Sequence, residues 1–538
     1  MITEIEFYRL LSGWLIKKIK HMKNLFIILG MLLVTGCSKE FLDKHSLTQI
    51  ADENFWKNEQ DAFLGINGIY DVLQDRALYS GNLNGTAGFS LFDGIGDNAY
   101  NSFKFEGPGN FMEANITTSH AMFAGIWTSS YKGIFRANVA LEKIPKITAS
   151  NITEAKRSML IGQALFLRAL FYSNLAIYFR EVPLILKTAT IEEKNVKKNT
   201  YPEVSAQIVK DLTDAIVLLP ATYPAAQYGY ATKGAAMGLL ARMHLYNKDY
   251  QGVIDATTPL LTMGYGLHNN YAQLFTEQGE FSNEIVFAVR FFQDAASGNS
   301  ELFSGTFLAA PKVDQQPMKN LVNDYYCTDG KPITTSPLYN PGTPTNNAPQ
   351  KNNRDPRLLA SVLFRNDIFL VDLNRAFTGN TATGYGQKKY IRNSASPTGV
   401  AAFNPGGQDY YVIRYADVLL MRAEAFVELN QLTPVYPLVN QIRARVSMPS
   451  IETAEGTGLT QDQLRTIVMH ERRVEMAFEG MRYFDLKRWG QLQQAYQRAT
   501  VDNVAGYRPV FQTGKAGVFP IPENELNANY AIWQNPFW

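Results

Sequence analysis

The chain reads as a mainly α protein, a tetratricopeptide-like scaffold of helical hairpins carrying long loop-rich insertions that form a ligand-binding face. Apolar residues recur at helical spacing through most of the well-patterned sequence, and successive helix pairs recur at about 35 to 45 residues, the period of a helical solenoid, although no strict repeat consensus is present. Between these pairs the character changes. Gly, Asn, Pro and Thr gather at 335–353 and 378–408, and Gly and Asn with aromatics fill 81–115, the chemistry of turns and loops. Helical scaffold is therefore expected over about 54–80, 116–250 and 410–490, and variable regions over about 81–115 and 251–409.

An export signal precedes the first helix. Lys17, Lys18, Lys20 and Lys23 lead into an uncharged apolar run from Leu25 to Val34, the basic-then-apolar order of a secretory leader; Met22-Lys23-Asn24 would open such a leader in its usual form. The run is shorter than the roughly 20 residues a bilayer span needs. It ends in Leu33-Val34-Thr35-Gly36-Cys37, which resembles the bacterial lipoprotein box, so Cys37 is expected to carry lipid and 1–36 to be removed, leaving 37–538 as one domain. A short membrane anchor with an incidental cysteine is the alternative. Losing the leader moves the formal charge from +2 to about −1, a balance that argues against nucleic acid as a partner. Cys327 is the only other cysteine. With Cys37 acylated no intramolecular disulfide can form, and stability must come from packing.

The helices follow in order. Asn58 is placed to cap a helix whose first turn holds Glu59 and Asp61, acids that suit the helix dipole, and Phe63, Ile66, Tyr70 and Leu73 then mark its apolar face. Residues 121–144 (Trp127, Tyr131, Ile134, Val139, Leu141) and 154–179 (Ile161, Ala164, Leu165, Phe171, Leu175, Tyr178) predict a pair joined by the polar turn Thr148 to Thr153. A second pair spans 202–219 and 232–246; in the latter Gly234, Ala235, Ala236, Gly238 and Ala241 permit close helix contact. A third set covers 412–429, 434–446 and 461–479.

Motifs for catalysis or metal binding are missing. The histidines lie at 21, 45, 120, 244, 268 and 470 without metal-ligand spacing, and His470-Glu471 runs on as Arg472-Arg473-Val474, lacking the second histidine of a zinc helix. Gly94-Ile95-Gly96 lacks the third glycine of a dinucleotide fingerprint, and there is neither a nucleophile elbow nor a phosphate loop. No catalytic residue, metal or cofactor is expected. Glu475 and Glu479 could in principle act as the carboxylate pair of a glycosidase. They stand among Arg472, Arg482 and Arg488, which would lower their pKa values and spoil a general acid, so a structural ion-pair network including Asp485 is expected. Asp355-Pro356-Arg357 reads as a rigid turn tying two loops together.

Aromatic residues make up 12% of the chain, with 28 Tyr, 32 Phe and 6 Trp. Tyr79, Phe89, Phe92, Tyr100, Phe103 and Phe105 crowd the first insertion among Asp75, Asn82, Asn84, Asp97, Asn98 and Asn101; Phe291, Phe292, Tyr325, Tyr326 and Tyr339 fall in the second. Ring faces stack on sugars while Asp and Asn bond their hydroxyls. Ligand contact is therefore expected at Asp75, Tyr79, Phe92, Asp97, Asn98, Tyr100, Phe292 and Tyr325. The competing reading is that these rings pin a long loop onto the helices.

Several motifs in fixed order then resemble one family, the SusD-like or RagB outer-membrane nutrient-binding lipoproteins, over nearly the whole mature chain. Phe41-Leu42-Asp43 resembles the family's opening, and Trp127, Tyr131, Ile134, Ala137 and Asn138 are similar to its W-x3-Y-x2-I-x2-A-N helix. Ala164 to Ala169 with Val182-Pro183-Leu184, Thr232 to Ala236, Asn283 to Phe287, Asp329 to Ile333, Asp355-Pro356-Arg357, Arg414 to Leu420 with Arg422 to Ala425, and Glu471-Arg472-Arg473 through Glu479-Gly480 to Arg488-Trp489-Gly490 follow; Ile521-Pro522 and Gln534-Asn535-Pro536 close the set. The resemblance implies four tetratricopeptide-like units under a variable face, and a non-catalytic protein that holds oligosaccharides, or in some members peptides or glycopeptides, at the outer membrane as the lid of a SusC-like TonB-dependent transporter. A lipid-anchored glycosidase is the alternative from another class. The expected location is the outer membrane, lipid-anchored and at the cell surface, although Ser38-Lys39-Glu40 is less acidic than the surface-export signals often seen in such lipoproteins.

Overall fold

A computed structural model describes residues 55–81, 88–188, 195–293, 299–306, 314–343, 346–371, 374–392 and 406–538. Cys37 and the leader lie outside these residues. Numbering the helices of seven or more residues in chain order gives α1 (Glu59–Leu73), α2 (Ala121–Lys143), α3 (Glu154–Phe179), α4 (Tyr201–Leu218), α5 (Lys233–Tyr246), α6 (Tyr250–Thr257), α7 (Tyr415–Glu428), α8 (Val435–Arg445), α9 (Gln461–Met476), α10 (Arg482–Arg488) and α11 (Leu492–Val501).

Local chemistry sets the starts. Asn58 accepts a hydrogen bond from the Asp61 amide at 3.1 Å, Thr153 caps α3 from the Lys156 amide, and Thr200 with Glu203 and Thr460 with Gln463 form reciprocal capping boxes on α4 and α9, satisfying amides that the first helical turn leaves free. Each helix then packs chiefly on its neighbours in the chain: α1 on α2, α2 on α3, α3 on α4, α4 on α5 and α5 on α6. This is the nearest-neighbour order of a solenoid of hairpins. The approach of α2 to α3 is so close that a Cβ on Gly133 would overlap the Phe171 ring. Helix α3 is long and apolar enough to cross a membrane, yet most of it is buried inside the protein, as the central helix of a solenoid must be.

The solenoid is interrupted and then resumed, since α6 packs directly against α7 although residues 258–414 intervene. The stem of that insertion is an antiparallel pair of strands, Ile285–Val289 with Tyr410–Arg414, all ten residues buried. Here the expected helix over 412–429 is corrected: it starts at Tyr415, because the β-branched and aromatic run Tyr410 to Ile413 pairs across the stem instead. A second strand pair, Ala99–Asn101 with Gln315–Pro317, ties the first insertion to the second. The expected helix over 461–479 likewise ends earlier, at Met476, where Phe478 and Gly480 take positive φ values of 64° and 71° and turn the chain out of the helix.

The charges around that turn form one buried network. Glu475 accepts from Arg414 Nη1 and Arg445 Nη2 at 2.6 Å and Arg357 Nη1 at 3.1 Å. Arg414 also reaches Glu284 at 2.9 Å and Glu479 at 2.7 Å; Arg357 pairs with Asp355 at 2.7 Å and Glu471 at 2.5 Å. The groups come from the strand stem and Glu284 just before it, from α8, from α9 and the turn that follows it, and from the Asp355–Arg357 turn, so the network clamps the insertion to the solenoid. Burial acts to raise the Glu475 pKa, but Arg445, Arg414 and Arg357 overcome it and hold the carboxyl well below its usual range, the opposite of what a general acid requires.

Candidate ligand-binding cleft

The apolar residues of α1 that face the core are Ile66, Ile69, Val72 and Leu73. A period of 3.6 residues therefore turns Asn67, Asp71 and Gln74 to the other side, where they line an open cleft of about 440 Å³ with Tyr228, Gly229, Tyr230 and Arg290. An adjoining hollow of about 300 Å³ shares Tyr228 to Tyr230 and Arg290 and adds Tyr223, Tyr265 and Phe281. Three pieces of chain meet here: the outer face of α1, the connector between α4 and α5, and the strand Ile285–Val289 with its flanks.

Arg290 organises the meeting point. Its guanidinium lies 4.8 Å from the Tyr228 ring and 4.9 Å from the Phe281 ring, and those rings sit 4.8 Å apart. Gly229 has φ = +108°, and a Cβ there would strike the Arg290 side chain, so glycine is what lets the guanidinium settle between the rings. Gln74 Nε2 donates to the Arg290 carbonyl at 2.7 Å, and the Tyr230 hydroxyl donates to Asn67 Oδ1 at 2.5 Å. Phe281 is 66% and Tyr228 39% exposed. The cleft thus offers aromatic surface beside an amide, a carboxylate and a guanidinium, a combination suited to a hydroxyl-bearing ring.

Beneath it lies a pair of acids. Arg290 Nη1 stands 2.6 Å from Asp409 Oδ2 and its Nη2 4.0 Å from Glu280 Oε2, while Glu280 Oε1 accepts from the Asp409 amide at 2.7 Å. Burial, reinforced by the Asp409 charge, pushes the Glu280 carboxyl up to about 8; burial raises Asp409 as well, against the pull of Arg290. A raised carboxyl keeps a proton that the unfolded chain has lost above about pH 4.3, so its contribution to stability is full below that value and disappears as pH rises through the folded pKa. Glu280→Gln is expected to flatten the fall of urea midpoint between about pH 5 and about pH 8. Parallel pH profiles in variant and wild type would show the reading to be wrong.

The residues expected from sequence to meet ligand lie elsewhere, and most are corrected to interior roles. Tyr79 is buried 4.9 Å from Phe89 and 5.4 Å from Tyr410, with its hydroxyl accepting from Asn174 at 3.3 Å. Phe92 is fully buried among Phe89, Tyr178 and Phe519. Tyr100 packs 4.9 Å from Tyr507, and Tyr325 donates to the Val474 carbonyl at 3.2 Å from within the core. Asp97 receives Arg498 at 2.6 Å, Arg482 at 2.7 Å and Arg473 at 3.3 Å; burial acts to raise its pKa, and the three guanidiniums overcome it and hold it low. Asn98 donates to Asp93 at 2.6 Å and accepts from Arg473 at 3.0 Å. None of these side chains is open to a ligand. Asp75 is half-buried and caps the following turn through the Ala77 amide. Phe292 alone stands out in solvent, 69% exposed, two residues beyond Arg290.

Sequence reading missed Tyr228, Tyr230, Phe281, Arg290 and Asn67. The available signal was the connector Tyr223 to Tyr230, with three tyrosines around a glycine where a plain turn would suffice.

Comparison with known proteins agrees with this architecture. Residues 283–538 match the family model described as "SusD family", and residues 40–245 match a second, "Starch-binding associating with outer membrane". The chain is 27% identical over 507 residues to SusD-like protein P38 of Formosa agariphila, covering 88% of this chain and 92% of that protein. It superposes on a SusD-like carbohydrate-binding protein from Bacteroides fragilis with a TM-score of 0.75 and 27% identity, over 89% of this chain and 99% of the other. A laminarin-binding SusD-like protein aligns with a TM-score of 0.67 and 26% identity, over 90% and 100%. With two family models that between them span residues 40–245 and 283–538, and a relative aligned over most of its length, the chain belongs to the SusD/RagB family.

Proposed function

We propose that the protein is a non-catalytic glycan-binding lipoprotein of the outer membrane, which holds oligosaccharide segments in the Tyr228–Phe281–Arg290 cleft and passes them to a SusC-like TonB-dependent transporter. The observation that carries glycan binding is the exposed ring surface of Tyr228 and Phe281 around a fixed guanidinium, with Asn67 and Asp71 lining the adjoining opening that Tyr228 and Arg290 share. Similarity to a carbohydrate-binding and a laminarin-binding protein supports it. Attachment through Cys37 rests on the leader and the residues before the cysteine, and transfer to a transporter rests on the family resemblance. The deep burial and low pKa of Glu475 speak against the glycosidase alternative.

Calorimetric titration with a panel of oligosaccharides, beginning with laminarin fragments, tests the cleft. Tyr228→Ala/Phe281→Ala removes two exposed rings and leaves the core intact. Truncating central aromatic anchors costs about 2 kcal/mol or more, so affinity is expected to fall at least about tenfold. Unchanged affinity in the folded double variant would move the site away from this cleft.

A further inference from the structure

A second cavity, sharing no lining residue with the cleft, opens where the ends of three helices converge. It holds about 300 Å³, roughly ten times the ~30 Å³ that one water occupies in the liquid. Its walls carry Arg180 just past α3, Lys248 just past α5, and Lys487 and Arg488 from α10, with the rings of Tyr201 and Tyr246 between them.

What distinguishes the cavity is positive charge that the protein does not neutralise. Arg488 is taken up by Glu424 and Asp485, but among the described residues no carboxylate pairs with Arg180, Lys248 or Lys487. The nearest acids in sequence are turned to other partners: Glu181 faces Lys198 at 3.7 Å, and Asp249 pairs with His244 at 2.7 Å while capping α6. Lys487 spends one of its three donors on the Ile177 carbonyl at 2.8 Å. Arg180 has the Tyr201 ring at 5.7 Å. The Tyr246 hydroxyl is buried with no hydrogen-bond partner.

An ordinary structural account exists, since cations at helix C-termini offset the helix dipole. Its magnitude falls short. The ends of α3 and α5 supply about half an elementary charge each, against two full positive charges on Arg180 and Lys248 before Lys487 is counted. Burial together with the Arg180 charge pushes the Lys487 ammonium down to about 7, as expected where positive charge is left uncompensated.

We infer that this cavity is a binding site for an oxyanion, a sulfate, phosphate or carboxylate group, held by Arg180, Lys248 and Lys487. Arginine offers a planar fork to such a group and the lysines add point charges, while the volume accommodates a sugar-sized body behind the anion.

The test is calorimetric titration of the protein at low ionic strength with sodium sulfate, glucose 6-sulfate and glucose, with sodium chloride as the control. Arg180→Gln/Lys248→Gln replaces two exposed side chains and leaves the core untouched; Lys487→Met removes the third cation. Saturable one-to-one binding of either sulfate compound, weakened about tenfold or more in the double variant, is the expected result. The tighter of the two probes tells a bare ion from one borne on a sugar. Absence of saturation by both, equal binding of uncharged glucose, or full affinity in the double variant would overturn the site. If Lys487→Met fails to fold, the double variant decides alone.

Discussion

Glu475→Gln is expected to lower the stability of the folded chain by about 3–5 kcal/mol, the cost of breaking a buried ion pair by removing one partner. Glutamine matches the shape of glutamate, so the loss is electrostatic: Arg357, Arg414 and Arg445 would stay buried with a charge removed from their midst. Arg414 keeps Glu284 and Glu479, and Arg357 keeps Asp355 and Glu471, which limits the damage to the share that Glu475 carried. Against a total of about 5–15 kcal/mol for a typical protein, the loss is large enough to show as a shifted urea midpoint and a lower soluble yield. Because the Glu475 pKa is depressed in the fold, its contribution is fully present above the unfolded value of about 4.3 and is lost progressively below it, as pH falls through the lower folded value. Wild type should therefore lose stability on acidification more steeply than the variant. A catalytic glutamate would behave differently, leaving a stable, inactive protein; an unshifted midpoint would refute the structural role.

The scaffold was legible because its signals are local. Capping residues such as Asn58, Thr153 and Thr460 sit within four residues of the amides they serve, and the apolar periodicity of α2 to α5 lies within single helices. The corrected ends show where locality fails. Tyr410 to Arg414 has apolar content compatible with either helix or strand, and only the partner Ile285–Val289, over a hundred residues upstream, selects the strand. The same limit governs the site. Asp97 reads as a sugar acceptor until Arg473, Arg482 and Arg498 fold against it from 376, 385 and 401 residues away. Conversely, Tyr228, Phe281 and Arg290 are unremarkable alone, and become a cleft only when the α4–α5 connector meets the base of the second insertion.

Alanine at Tyr79, Phe92 and Tyr100 together is expected to abolish folding. These rings were expected to face a sugar, in which case their joint removal would leave a stable protein that no longer binds. The structure leads to the opposite outcome. Phe92 sits at ring-centroid distances of 5.5, 5.4 and 6.2 Å from Phe89, Tyr178 and Phe519, bringing together the first insertion, the end of α3 and the C-terminal segment. Truncating such a phenylalanine to alanine costs about 3–5 kcal/mol through lost transfer energy and the cavity left behind. Tyr79 joins the same cluster through Phe89, so its loss couples to that of Phe92, while Tyr100 packs in a separate group with Met112, Met318, Tyr496 and Tyr507 and adds its cost independently. The sum reaches the whole stability of an ordinary domain. Circular dichroism and size exclusion should find the triple variant unfolded or aggregated, whereas Tyr228→Ala/Phe281→Ala should elute and melt like wild type while losing glycan affinity. A triple variant that melts like wild type would mean that the first insertion is not pinned by these rings, and would return Tyr79, Phe92 and Tyr100 to contention as ligand contacts.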